Sequence, residues 1–295
     1  MTLRARIEED ELLMAIGAWD AMTASMAEQA GAEAVYMSGS CVASSVTGGP
    51  DVGMTTMTEM ATRAHQIAGA IDVPFIADAD TGYGNELNVQ RTVEEYERAG
   101  VDAIQFEDQV FPKKCGHFEG KDVIDAPAFA AKVEAAVDAR ESDDFLVIAR
   151  TDAIAVYGLD EAVRRAKLYK EAGADVLFVE APTGTEQMRA VTDEVPGPLL
   201  ANLAAKGKTP PLTAEEMEDI GYDLAIYPSD AFKAALKTVR ETYETLVDER
   251  CQENILDDMM EWETRDEITD LAGVNEREAK YDAAADRYAE RYEEL

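Results

Sequence analysis

The chain has 295 residues, 61 of them acidic and 27 basic, for a net charge of −34. With 46% hydrophobic residues it holds enough apolar material for a large core, which excludes global disorder. The charge excludes a basic nucleic-acid footprint and disfavours anionic membrane surfaces, and no apolar run reaches the roughly 18 residues of a membrane span.

Acids among the first ten residues argue against a secretory leader, and three Cys without paired spacing argue against a disulfide framework or a Cys zinc site. The expected setting is a reducing cytoplasm. The acids are spread along the whole length, as in adaptation to molar salt, where screening shrinks to about 3 Å and self-repulsion fades.

In chain order, eight short apolar runs read as strands: Leu13–Gly17, Ala34–Met37, Pro74–Ala77, Ala103–Phe106, Phe145–Ala149, Val176–Val179, Leu199–Ala201 and Leu224–Tyr227. Between them, segments such as Asn88–Ala99, Ala126–Ala139, Leu159–Ala172 and Thr213–Ile220 have helical spacing. Gly31, Gly100, Gly173 and Gly221 follow helix ends in the manner of a left-handed C-cap. Alternating strand and helix predicts a parallel sheet, and eight strands over about 240 residues predict a (β/α)8 TIM-type barrel spanning residues 1–240. A doubly wound sheet is less consistent, because no G-x-G-x-x-G follows the first strand. Residues 241–295 lack strand runs. Met259, Trp262, Tyr281, Tyr288 and Tyr292 sit at helical spacings there, which predicts helices packing on the barrel or on a neighbouring subunit.

In such a barrel, function collects at the C-terminal strand ends. Here those ends read Trp19-Asp20, Ser38-Gly39-Ser40, Asp78-Ala-Asp80, Glu107-Asp-Gln109, Arg150-Thr-Asp152, Glu180, Asn202 and Tyr227. Any one of these could be a helix N-cap; together they exceed what capping needs. Asp78 and Asp80, two apart on one strand, and Glu107 on the next supply oxygen ligands only, which suits Mg2+. Arg150 can clamp a carboxylate or pair structurally with Asp152 or Glu180. After the fourth strand comes Phe111-Pro-Lys-Lys-Cys115-Gly-His117-Phe-Glu-Gly120-Lys121. Its lysines and His117 would lower the Cys115 thiol pKa, and Gly116 and Gly120 suit a closing lid. Cys41 and Cys251 are expected to be packing residues.

These residues resemble the isocitrate lyase and phosphoenolpyruvate mutase superfamily, specifically its 2-methylisocitrate lyase-like branch, from about Leu12 to Tyr243. The marks are Tyr36-Met-Ser-Gly39, Pro50-Asp51-Val-Gly53, Asp78-Ala-Asp-Thr-Gly-Tyr-Gly84, Glu107-Asp-Gln, Lys113-Lys-Cys-Gly-His117, Ala149-Arg-Thr-Asp152, Phe178-Val-Glu-Ala181 and Leu200-Ala-Asn202. The resemblance implies a carbon–carbon lyase using Mg2+, with Mn2+ as a possible substitute, held near Asp78, Asp80 and Glu107 with Asp51 close by. It implies Ser38, Gly39, Gly116, Arg150, Glu180 and Asn202 as holders of a di- or tricarboxylate. It also implies Cys115, Tyr36, Lys114 and His117 as the catalytic set, with Cys115 protonating the carbanion-like product.

The substrate implied is 2-methylisocitrate, cleaved to pyruvate and succinate, with Phe178 and the Ile226/Pro228 pair resembling a methyl-accepting pocket. Isocitrate, and oxaloacetate or a 2-alkylmalate such as 2,3-dimethylmalate, are the alternatives; Lys233 and Gly207-Lys-Thr-Pro210 look more like the latter relatives. A catalytically inactive barrel serving as a binding protein is the reading from another class. The resemblance further implies a homotetramer that exchanges C-terminal helices.

Overall fold

The computed structural model describes residues 2–116 and 120–295. Eight parallel strands, β1 (Leu13–Ala18), β2 (Ala34–Met37), β3 (Phe75–Asp78), β4 (Ala103–Glu107), β5 (Leu146–Thr151), β6 (Val176–Val179), β7 (Leu199–Asn202) and β8 (Leu224–Tyr227), pair in sequence order. β8 pairs back onto β1, so the sheet closes as a barrel. The eight expected runs are these eight strands, shifted at their ends by a residue or two.

Helix α1 (Leu3–Ile7) precedes β1 and α2 (Ala21–Gln29) follows it. After β2 come α3 (Gly39–Thr47) and α4 (Met57–Ala68); α5 (Glu86–Arg98) follows β3 and α6 (Ala126–Ala139) follows β4. The short α7 (Ile154–Tyr157) and α8 (Leu159–Glu171) follow β5, then α9 (Thr185–Glu194) and α10 (Ala214–Ile220) follow β6 and β7. Reciprocal capping boxes start α2, α4, α5 and α10 at Asp20, Thr56, Asn85 and Thr213. Gly31, Gly100, Gly173 and Gly221 end helices at φ of +93°, +91°, +103° and +101°, as their placement predicts.

Strand residues alternate between two apolar layers. Val35, Met37, Phe75, Ala77, Ile104, Phe106, Val147, Ala149 and Leu177 face the helices. Ala34, Tyr36, Ile76, Ala103, Leu146, Ile148, Phe178, Leu200 and Ile226 fill the barrel interior, where Leu3 and Ile7 of α1 join them. This alternation places the site, because the inward register of each strand continues past the apolar layer into the polar residues at its C-terminal end.

By its contacts the chain divides into two compact units, Met1–Leu236 and Lys237–Leu295. The 20-residue α11 (Asp230–Glu249) starts in the first. The second also holds a 3-10 turn at Glu253–Asp258, α12 (Trp262–Ile268) and α13 (Leu271–Glu293). Ile255 is buried, but Leu246, Leu256, Trp262, Tyr281, Tyr288 and Tyr292 are exposed in the single chain. No helix among the described residues is long and apolar enough to cross a membrane.

Candidate active site

Following the inward register upward gives Tyr36 and Ser38 from β2, Asp78 from β3 and Glu107 from β4. Arg150 comes from β5, Glu180 from just past β6, and Asn202, Ile226 and Pro228 from the ends of β7 and β8. All of them line one cavity of about 60 Å3, whose cover is Lys113, Lys114, Cys115 and Gly116. Asp51, from the loop between α3 and α4, completes its rim.

Asp80 is not on the face of β3, contrary to the expected two-residue alternation. The strand ends at Asp78, and Asp80 sits in a left-handed turn at φ +50°. That turn is pinned twice, by Asp80 N–H donating to Asp78 Oδ1 at 2.9 Å and by Glu107 N–H donating to Asp80 O at 2.8 Å. The two carboxylates therefore enter the site through a turn rather than a pleat.

Six buried carboxylates surround the cavity, those of Asp51, Asp78, Asp80, Glu107, Asp152 and Glu180. Three buried cations oppose them, Lys113, Arg150 and Lys121. Lys113 Nζ lies 2.7 Å from Asp80 Oδ1 and donates to Asp51 Oδ2 at 2.8 Å. Loss of hydration raises the Asp78 carboxyl above its ordinary range and lifts Glu107 well above it; it lifts Asp80 to about 6 despite the neighbouring Lys113 ammonium.

The residual negative charge and oxygen-only donors suit a hard divalent cation, and Asp80 Oδ2 is buried with no hydrogen-bond partner among the described residues, an acceptor open to a ligand. Among the described residues no three carboxylates or imidazoles converge as a ready-made cage, so a cation here would keep part of its water shell.

Arg150 combines both roles weighed for it. Its Nε donates to Asp152 Oδ2 at 2.9 Å and its Nη2 to Asp152 Oδ1 at 3.1 Å, a forked ion pair. The same guanidinium lies 3.4 Å from Glu107, 3.7 Å from Glu180 and 5.1 Å above the Phe178 ring, and it lines the cavity. Phe178 is thus the seat of Arg150 and not a wall of the cavity; Ile226 and Pro228 are walls. Asn202 Nδ2 donates to Glu180 Oε2 at 3.3 Å. A Cβ on Gly39 would collide with the Asp78 carboxylate, so glycine lets the start of α3 approach that acid.

Tyr36 is buried and its hydroxyl donates to Gln105 Oε1 at 2.7 Å. Burial, with the Asp78 carboxylate nearby, pushes the phenol well above its ordinary range, so it keeps its proton and acts as a hydrogen-bond donor. Gln105, on the inward register of β4, has no charge or nucleophile to flag it in the sequence.

The lid is held by Gln109 and by the Asp51 backbone, a role that their place in the sequence pattern does not reveal. Gln109 Nε2 donates to Glu107 Oε1 and to Lys114 O, both at 2.9 Å, while its Oε1 accepts from Lys114 N–H at 3.0 Å. Cys115 N–H donates to Asp51 O at 3.2 Å. Lys114, expected to be catalytic, lines the cavity but turns its ammonium to Gly120 O at 2.6 Å; the ammonium among the carboxylates belongs to Lys113. His117 lies outside the described residues. None of the three thiols is in a disulfide. Cys41 is a packing residue as expected, with burial pushing its thiol up to about 11. Cys251 is not: it is exposed, beyond the end of α11, where its sulfur accepts from Glu253 N–H at 3.4 Å.

Comparison with known proteins finds similarity over nearly the whole chain. The family model for phosphoenolpyruvate phosphomutase matches residues 3–247. The chain is 44% identical to 2,3-dimethylmalate lyase of Eubacterium barkeri, over 97% of this chain and 98% of that protein. It is 43% identical to 2-methylisocitrate lyase of Aeropyrum pernix, over 98% and 92%. Among solved structures, phosphonopyruvate hydrolase in complex with oxalate and Mg2+ superposes with a TM-score of 0.86 at 32% identity, covering 95% of this chain and 99% of that one.

Proposed function

The chain belongs to the phosphoenolpyruvate mutase/isocitrate lyase superfamily as a carbon–carbon lyase, and from that premise we propose that it splits a 2-hydroxy-2-methyl acid, 2-methylisocitrate or 2,3-dimethylmalate, releasing pyruvate. The observation that carries this reading is the cavity itself. A carboxylate cluster fit for a divalent cation and the Arg150 guanidinium form its floor, and the Cys115 thiol is among its cover. Retro-aldol cleavage needs groups of these kinds: positive charge where the oxo acid forms, and an acid where the other fragment gains electrons.

In this scheme Arg150, Ser38 and Asn202 bind the substrate carboxylates and fix its orientation. Tyr36, which keeps its proton, redirects it from Gln105 Oε1 to steady the oxygen at C2 as the C2 hydroxyl proton passes to the Glu180 carboxylate in the cavity lining. The C2–C3 bond breaks, C2 becomes the oxo carbon of pyruvate, and C3 takes a proton from the Cys115 thiol. Asp78, Asp80 and Glu107, with Asp51 alongside, would hold Mg2+, which when bound supplies Lewis-acid charge stabilisation at the developing oxo acid.

The two substrates differ at C3, where 2-methylisocitrate carries a carboxymethyl group and 2,3-dimethylmalate a methyl. A specific observation favours the smaller. Apart from Arg150, which serves the carboxylates common to both acids, the lining cations are already engaged, Lys113 by Asp51 and Asp80 and Lys114 by Gly120 O. Lys233 likewise donates to Ala205 O at 2.6 Å. Initial rates with Mg2+ at molar KCl on 2-methylisocitrate, 2,3-dimethylmalate, isocitrate and oxaloacetate, each with and without EDTA, test the reading. Pyruvate from one of the first two, abolished by EDTA, is expected. Activity on isocitrate or oxaloacetate alone would discard the methyl-acid assignment, and silence on all four would restore the binding-protein reading.

Adaptation to molar salt and assembly into a homotetramer belong to the same proposal. They are supported by the net charge of −34 and by the exposed apolar residues of α11 to α13. Thermal melts and light scattering across a KCl series read both. A midpoint that climbs by several degrees into molar KCl, with a mass of four chains, is expected; a flat midpoint discards the salt adaptation, and a monomer discards the assembly.

A further inference from the structure

The lid is tied down by a buried ion pair that the scheme above does not use. Lys121 Nζ donates to Asp152 Oδ1 at 2.6 Å and to Gly116 O at 2.7 Å, and the Lys121 and Asp152 side chains are only 2% and 0% exposed. The bond to Gly116 ties Lys121 to the cover residue that follows Cys115. Gly116 is also where the lid meets the floor: a Cβ there would collide with Glu180 Oε1 and come within 2.8 Å of Arg150 Nη2. No side chain fits between lid and floor at that point, and Cys115 is the preceding residue.

Asp152 is itself immobilised. Its carboxylate receives the Arg150 fork, and its backbone N–H donates to Asp108 Oδ1 at 3.0 Å. Asp108 Oδ2 in turn accepts from Thr151 Oγ1 at 2.7 Å, Tyr169 Oη at 2.8 Å and Arg165 Nη1 at 3.0 Å. A continuous chain of buried polar contacts thus runs from α8 through the end of β5 to the lid. A buried ion pair is a weak source of net stability, because desolvating both charges offsets most of their attraction. What such a pair does supply is orientation.

The geometry points to Lys121 and Asp152 as positioning residues, an ion-pair latch that seats the lid with Cys115 over the cavity. The latch stands on contacts alone, and only its effect on turnover rests on the proposed function. Lys121→Met tests it, since the chain keeps its length and Asp152 keeps Arg150. Iodoacetamide labelling, read by peptide mass spectrometry, compares Cys115 with the exposed Cys251 in the same molecules.

A rise of about tenfold in the Cys115-to-Cys251 labelling ratio is expected, because an untied lid opens more often. A fall of about tenfold or more in kcat with little change in KM is expected alongside, and Lys121→Arg is expected to recover part of both. A labelling ratio within about twofold of the parent overturns the latch, whatever happens to turnover, because the lid's local opening has then not changed. A parent protein inactive on all four acids would remove the proposed function while leaving the labelling ratio to decide the latch.

Discussion

Cys115→Ser is expected to lower turnover by about 100-fold or more while leaving the fold and the affinity for substrate in place, the loss typical of removing a positioned general acid. A serine hydroxyl occupies nearly the same volume but is a far weaker acid than a thiol, so C3 loses its proton donor. Cys115 is held over the cavity by backbone contacts, its own N–H to Asp51 O and its neighbours through Gln109 and Lys121. These backbone contacts do not pass through the sulfur and remain in the serine variant. Steady-state rates with an unchanged melting midpoint would support the role; unchanged turnover would remove it.

Lys113→Met is expected to be costly in both stability and activity. The ammonium is the counter-ion of Asp51 and Asp80 at 2.7 Å from each, and all three side chains are buried. Breaking a buried pair by removing one partner costs about 3–5 kcal/mol, since the remaining charges stay desolvated. The penalty has a predictable pH dependence. Asp80 already titrates near 6 with Lys113 present, and without the ammonium it moves higher. A carboxyl raised in the folded state weakens folding above its unfolded value, and that loss disappears as pH falls through the folded value. Denaturant melts should therefore show the largest gap between variant and parent near pH 7 and a smaller one near pH 5. A gap that is constant across this range would mean that Lys113 acts through packing and not through charge.

How far the residues announced this arrangement depended on the kind of signal. Strand spacing, glycine caps and inward alternation are local, so the barrel and most of its floor followed from the apolar runs. The carboxylates, Arg150, Glu180 and Asn202 stood at strand ends, where the fold makes placement predictable. Three features escaped. Asp80 enters through a left-handed turn, and two-residue alternation cannot express a backbone that leaves the strand. Lys113 and Lys114 are adjacent and chemically identical, so only three-dimensional packing decides which one faces Asp51 and Asp80. Gln105, Gln109 and Lys121 act by fixing other groups, and such partners are defined by contacts between distant segments.

One measurement goes most directly to the proposed bond cleavage: proton and deuterium NMR of the products formed in D2O with Mg2+ and molar KCl. Because C3 is protonated by an acid whose hydrogen exchanges with solvent, pyruvate and the saturated acid should appear in equal amounts. The saturated acid should carry a single deuterium at the former C3. Absence of the saturated acid, or its formation without deuterium, would contradict cleavage between C2 and C3 followed by proton delivery from the lid.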